Sequence, residues 1–197
     1  MNERQLDERQ RLRKVLSQIM EVSAVEWSTF EDLIEDDSFR KNEFLIREGR
    51  VERFIYFICE GMVRVFLTEE GKEISLDFAF ENMFTSSYSS FLQQQPSAVY
   101  IEALVDTRVL KFSHDKLYRL YDRSHESERM GRLIAELNYI RKNNREISFL
   151  KYTAKERYLN LLEQHPKLVQ EIPVKYLASY LGIEPESLSR IRRSVQC

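Results

Sequence analysis

The sequence predicts an α+β protein: an N-terminal β sandwich or barrel, a long helix, and a C-terminal domain ending in two short helices around a tight turn. Three observations carry this. Between Phe39 and Phe112 apolar residues alternate with polar ones, the period of half-buried strands. Between Leu117 and Ile147 they step by three and four, the period of a helix. The stretch Pro173–Arg193 then breaks that long pattern into two short helical runs separated by Gly182.

Residues 1–35 read as helical. Leu6, Leu12, Val15, Leu16, Ile19 and Met20 fall at roughly helical spacing. A second short helix around Trp27–Ile34 starts at Ser23 or at the Ser28–Thr29 pair, both good N-caps. Trp27, Phe30, Leu33 and Ile34 form its apolar face. Short segments rich in β-branched and aromatic residues come next. Val63, Val65 and Leu67 alternate with Arg64 and Thr68; Ile74, Leu76, Phe78 and Phe80 alternate with Ser75, Asp77 and Glu81. Gly49, Gly61 and Gly71 recur at the rhythm of turns in a sandwich or barrel, and Glu69–Lys72 reads as a hairpin turn. A second strand group runs from Val99 to Phe112.

From His114 the helical period returns, with Leu117, Leu120 and Tyr121 at its start. Met130, Leu137 and Asn144 fit a positions of a heptad, and Leu133, Ile140 and Ile147 fit d positions. This reads as a short dimer seam with one polar residue, against the plainer alternative of a helix packed on the barrel. Thr153 with Glu156 three residues on is a capping box for a helix Ala154–Gln164, and Pro166 acts as a stop just past His165. In the last stretch Val174, Leu177, Ala178 and Leu181 make one helix face. Gly182 allows a left-handed end, and Pro185 suits the first turn of the next helix. Leu188 and Ile191 continue the buried face, while Glu186, Ser187, Ser189, Arg190, Arg192 and Arg193 are polar. Spacing alone fits a plain helical hairpin or a DNA-binding helix-turn-helix about equally; the Arg-rich end favours DNA, since Arg suits guanine edges and phosphates.

Composition is that of a soluble globular chain: 197 residues, 43% apolar, 31% charged, net charge −2. Residues 150–197 carry eight Lys/Arg against five acids, so +3 there leaves −5 on the rest, a mildly basic end on an acidic body. Cys59 and Cys197 are too few for a disulfide framework or a four-thiolate cluster. The charged N-terminus lacks the apolar core of a secretory signal, and no stretch is long enough to span a membrane, so a cytoplasmic protein is expected. His114, His125 and His165 all lie outside the strands, which disfavours a metal-dependent jelly-roll enzyme; no catalytic residues, metal or cofactor are expected.

The segment 173–193 closely resembles the helix-turn-helix of the Crp/Fnr family of bacterial transcription regulators, and the strand pattern with its turn glycines resembles that family's cyclic-nucleotide-binding-like barrel, which implies an N-terminal β jelly-roll barrel. The resemblance covers nearly the whole chain. It implies three parts: helices and barrel sensor over 1–115, a dimerisation helix over 116–148, and a DNA-binding domain over 149–197. It implies a homodimer through Met130, Leu133, Leu137, Ile140, Asn144 and Ile147. The partners it implies are double-stranded DNA with an inverted-repeat site and RNA polymerase. Glu186 and Arg190 match the family's base-reading pair, four residues apart, with Ser187, Ser189 and Arg193 beside them; a further Arg often precedes that Glu, and here Pro185 stands instead.

Where family members that bind cyclic AMP carry Gly-Glu and then Arg-Ser, this chain runs from Phe84 to Ser97 with Ser86 and Ser87 at the first pair and Pro96 or Ser97 at the Arg. No Arg or Lys lies between Lys72 and Arg108. A cyclic phosphate would find no cation in this stretch. Ser86, Ser87, Tyr88 and Ser97 make a candidate effector pocket for some other ligand; the plainer reading is a polar connection in a barrel that serves as scaffold. The expected function is a dimeric, sequence-specific transcription regulator that does not answer to cyclic AMP. The competing class is an effector-binding or protein-interaction module without specific DNA binding.

Overall fold

The computed structural model describes residues 2–195; Cys197 lies outside them. Helix α1 (Glu3–Ser17) opens with a reciprocal cap between Asn2 and Gln5, and α2 (Ala24–Glu31) with one between Ser23 and Glu26. Of the two starts open to the second helix, Ser23 is the one used. Leu12 and Leu16 are buried as their spacing predicts, whereas Leu6 stays 45% exposed. Glu8 and Arg9 of α1 are also buried, and each is paired. Arg108 donates twice to the Glu8 carboxylate at 3.0 Å, and Arg9 donates to both Asp36 oxygens at 3.0 and 2.7 Å.

The strands are β1 (Glu35–Phe39), β2 (Phe44–Ile46), β3 (Phe54–Glu60), β4 (Met62–Glu69), β5 (Lys72–Phe80), β6 (Phe84–Thr85), β7 (Tyr100–Ala103) and β8 (Thr107–Ser113). They form two four-stranded sheets, ordered β1-β8-β3-β6 and β2-β7-β4-β5. β3 and β8 run antiparallel in the first, with Phe57 opposite Leu110. Phe57 and Cys59 of β3 pack with Leu12, Leu16, Trp27, Leu110 and Phe112, while Tyr56 and Ile58 pack with Val63, Ile101 and Val109. Burial on both faces explains why β3 reads as an unbroken apolar run rather than an alternation.

Two expectations for the strands change. Arg64, placed on the polar side of its strand by alternation, is fully buried. At the start of β5, Ile74 is 40% exposed and Ser75 only 1%. There the Ser75 N–H donates to the Ser179 hydroxyl at 2.9 Å, so a polar edge is the covered one. Gly61 turns β3 into β4 at φ +94°, and a Cβ would sit 2.6 Å from the Asp106 carbonyl oxygen, so no other residue fits without backbone movement.

The serine-rich stretch contains a one-and-a-half-turn helix, α3 (Tyr88–Gln93), too short to show a period in the sequence. After β8 come α4 (His114–Tyr121) and α5 (His125–Lys151), two helices where the apolar spacing predicts one. The break is local: Asp122 ends α4, and the Ser124 hydroxyl accepts the Ser127 N–H at 3.1 Å to start α5. Gly131 inside α5 has a packing reason, because a Cβ there would meet the Tyr121 hydroxyl oxygen at 2.6 Å.

The C-terminal helices are α6 (Ala154–Gln164), α7 (Pro166–Glu171), α8 (Val174–Leu181) and α9 (Pro185–Val195). Thr153 and Glu156 form the predicted cap of α6. Pro166 opens a helix at its first position instead of only ending one. The chain divides into two compact units, Met1–Val65 with Phe78–Glu136, and Phe66–Asp77 with Leu137–Cys197. Buried residues of the second include Phe66, Ser75, Tyr158, Val169, Ile172, Leu177, Ala178, Leu181 and Leu188. None of the described helices is long and apolar enough to cross a membrane.

Candidate nucleic-acid interface and the serine-rich barrel loop

α9 is positioned by the turn that precedes it. α8 stops at Gly182, whose left-handed φ of +69° lets its own N–H and that of Ile183 return to the carbonyls of Ser179 and Ala178. Pro185 then starts α9, and Leu188, with no exposed surface, anchors it. A second anchor is Arg192, expected among the polar residues of the outer face. It is half-buried and donates to the Val169 carbonyl oxygen of α7 at 2.9 Å. These anchors leave Glu186, Ser189, Arg190 and Arg193 exposed, and a spacing of three and four puts them on one helix face. Ser187 is half-buried at the edge of that face. The Ser189 hydroxyl donates to the Pro185 carbonyl oxygen at 3.0 Å, and the Arg193 Nε to the Ser189 carbonyl oxygen at 3.4 Å, so both lie back along the helix.

Along α5 the six seam residues differ in exposure. Met130 is 8% exposed and belongs to the core of the first unit, and Leu133 is half-buried. Leu137, Ile140 and Ile147 are 52%, 52% and 46% exposed, and Asn144 is exposed between them. Leu117 and Leu120 of α4 are core residues.

The barrel loop brings two of its four candidate residues together. Ser87 and Ser97 are buried, and the Ser97 hydroxyl lies 2.8 Å from that of Ser87. Ser86 turns away and donates to the Phe54 carbonyl oxygen at 2.9 Å. Tyr88 stacks on Phe91, and burial raises its phenol pKa above the usual value. Three residues unmarked by any sequence motif complete the network: Glu52, Ser90 and Gln94. The Glu52 carboxylate accepts the N–H groups of Arg53 and Phe54 at 3.0 and 3.1 Å, and that of Ser87 at 3.5 Å. Its own N–H donates to the Ser90 hydroxyl at 3.0 Å, and Ser90 donates to the Gln95 carbonyl oxygen. The left-handed Gln94 donates to the carbonyl oxygens of Phe91 and Glu52 at 2.7 and 3.3 Å. Burial pushes the Glu52 carboxyl up to about 7 against these N–H donors and the Tyr56 hydroxyl, which favour its ionised form. The loop thus ties its polar groups to one another around a buried acid.

Among the described residues no group of three or more His, Cys, Asp or Glu is placed to hold a metal ion. Burial pushes the Cys59 thiol up to about 12, the range of an unreactive core cysteine.

An antiparallel two-sheet barrel with a helix over its serine-rich loop, followed by a long helix, defines a class. The family model "cyclic nucleotide-binding domain" matches residues 20–124, more than half of the chain, and the chain belongs to that family. No curated protein sequence matches it. Solved structures match along nearly the whole length. The structure of CLP, the c-di-GMP-responsive global regulator of Xanthomonas campestris, aligns with TM-score 0.67 at 15% identity, over 88% of this chain and 92% of that one. FixK2 of Bradyrhizobium japonicum aligns with TM-score 0.69 at 21% identity, over 83% and 84%. A Eubacterium rectale protein assigned to the crp/fnr family of transcriptional regulators aligns with TM-score 0.66 at 17% identity, over 89% and 84%. The fold is therefore the one these regulators share.

Proposed function

We propose that the protein is a dimeric, sequence-specific DNA-binding transcription regulator of Crp/Fnr type that acts in the cytoplasm. The observation that carries this is the division of labour on α9. Leu188 and Arg192 hold the helix from behind, and Glu186, Ser189, Arg190 and Arg193 share its exposed face. A helix so anchored after a left-handed turn is built to enter a major groove. There Glu186 accepts from a cytosine amino group and Arg190 donates to a guanine, while Ser187, Ser189 and Arg193 serve the phosphates or flanking bases. Two copies join through α5, where Leu137, Ile140 and Ile147 leave apolar area uncovered in the single chain. The two-fold axis then makes the operator an inverted repeat with half-sites about one turn, roughly 34 Å, apart. RNA polymerase is the partner such a regulator engages.

The barrel takes no cyclic AMP or cyclic GMP. Its loop holds a buried carboxylate and paired serines where a phosphate needs a cation, and its hydroxyls bond to one another and to backbone carbonyl oxygens. Selection of bound sequences from random duplex DNA tests the regulator reading, with an inverted repeat as the expected product. Recovery of no enriched motif would defeat it. Calorimetry with both cyclic nucleotides tests the second statement: no heat of binding is expected, and micromolar affinity with altered DNA binding would overturn it.

A further inference from the structure

The end of α8 has four carbonyl groups without partners in its own helix. Those of Ala178 and Ser179 accept the N–H groups of Ile183 and Gly182. The other two accept from arginines outside α8. Arg145 of α5 donates to the Tyr180 carbonyl oxygen at 3.0 Å, and Arg157 of α6 donates to that of Leu181 at 2.8 Å. Cations at a helix C-terminus are favoured by the backbone dipoles as well as by the bonds. Both guanidiniums also stand 4.6 Å from the ring of Phe149, one turn after Arg145, and Arg145 lies 4.4 Å from the ring of Tyr180. Phe149 reaches the turn itself, where a Cβ on Gly182 would be 2.9 Å from its Cε1. Arg157 further donates to the Tyr152 carbonyl oxygen at 2.7 Å, which ties α6 to the chain leaving α5.

The last turn of α5, the first turns of α6 and the turn before α9 are thus joined by two planar cations closed on one ring. The bonds are charge-assisted and directional, and Arg presents a fixed fork that Lys lacks. α9 begins shortly past that turn, so its place relative to the C-terminal half of α5 is set here.

We propose that Arg145, Phe149 and Arg157 are positioning residues that lock the helix-turn-helix to the end of α5 and so fix the half-site spacing the dimer accepts. This rests on the reading of the protein as a dimer that binds an inverted repeat. None of the three is required to touch DNA. Their effect is on geometry: a looser joint lets each α9 reach its half-site alone but removes the preference for one separation.

The test uses the full chain and a series of duplexes carrying the selected half-sites with the central spacer changed one base pair at a time. The unaltered protein is expected to prefer one spacing. In Phe149→Ala and Arg145→Lys the preference over neighbouring spacings should fall about tenfold, which is about 1.4 kcal/mol over the two half-sites together. Affinity for a single half-site should stay within about twofold. Phe149→Tyr, which keeps a ring beside both guanidiniums, should restore the preference. Retained preference in both disruptive variants overturns the proposal. So does an equal loss at every spacing with a shallower salt dependence, which would make Arg145 a phosphate contact. If the unaltered protein shows no spacing preference or no specific binding, the regulator reading itself fails.

Discussion

Gly182→Ala puts two separate costs on one atom. The backbone at 182 has φ +69°, where an L-residue with a Cβ is strained by about 1–2 kcal/mol. The added methyl would also lie 2.9 Å from Phe149 Cε1, and both Arg145 and Arg157 stand 4.6 Å from that ring. Clearing the contact adds about 1 kcal/mol, at the low end for overpacking because a ring edge shifts more readily than backbone. The sum is roughly 2–3 kcal/mol. Equilibrium urea unfolding by ellipticity gives the total, and hydrogen exchange of α8 and α9 amides shows whether the loss is confined there. The two costs separate in a double-mutant cycle. With Phe149→Ala as background only the backbone cost remains, so the coupling should be about 1 kcal/mol. A Gly182→Ala change within about 0.5 kcal/mol of the unaltered chain would refute the strained geometry. The same loss in both backgrounds would refute the contact with Phe149.

Arg190→Ala should cost about 1–3 kcal/mol per half-site and relax preference at one base position, whereas Arg193→Ala should weaken all duplexes alike and lower the salt slope by about one for each phosphate it no longer neutralises. Equal loss on specific and random DNA for Arg190→Ala would show that α9 does not read bases. Asn144→Ile, at an exposed a position between Ile140 and Ile147, should raise the melting temperature of the dimer; sedimentation as a monomer at micromolar concentration would contradict the seam. The Glu52 carboxyl titrates at about 7 in the fold against an ordinary 4.5, so its stabilising contribution is present below about 4.5 and is lost as pH rises through about 7. Unfolding free energy should fall across that window, and Glu52→Gln should flatten the fall; an unchanged slope would place the titration elsewhere.

The parts most legible in the sequence were those whose signals are local. The capping pair Thr153–Glu156, the stop at Gly182 and the start at Pro185 are each written in four residues or fewer, and the elements begin and end on them, whereas the second helix had two starts open and uses Ser23. What escaped is set by contacts distant in sequence. Ser75 is covered because Ser179, 104 positions away, accepts its N–H, and Arg192 leaves the outer face because a carbonyl of α7 awaits it. The helix over the barrel loop was too short for periodicity. Glu52 carries no motif, since its role comes from backbone N–H groups rather than from neighbouring side chains. Arg145, Phe149 and Arg157 belong to no sequence motif, and only the placement of the α8 carbonyls gives them a shared task.

The chain has a single tryptophan, Trp27, and it is buried in the core of the first unit beside Phe30, with the Arg13 guanidinium 5.8 Å from its ring. Its emission is therefore a native optical label for that unit alone. Ellipticity at helix wavelengths is weighted toward both units, since α6 to α9 add their share to α1, α2, α4 and α5. Recording both signals along one denaturation curve needs no engineered probe. Coincident midpoints would report one cooperative transition, and a gap between them would report how far the C-terminal helices melt independently of the barrel.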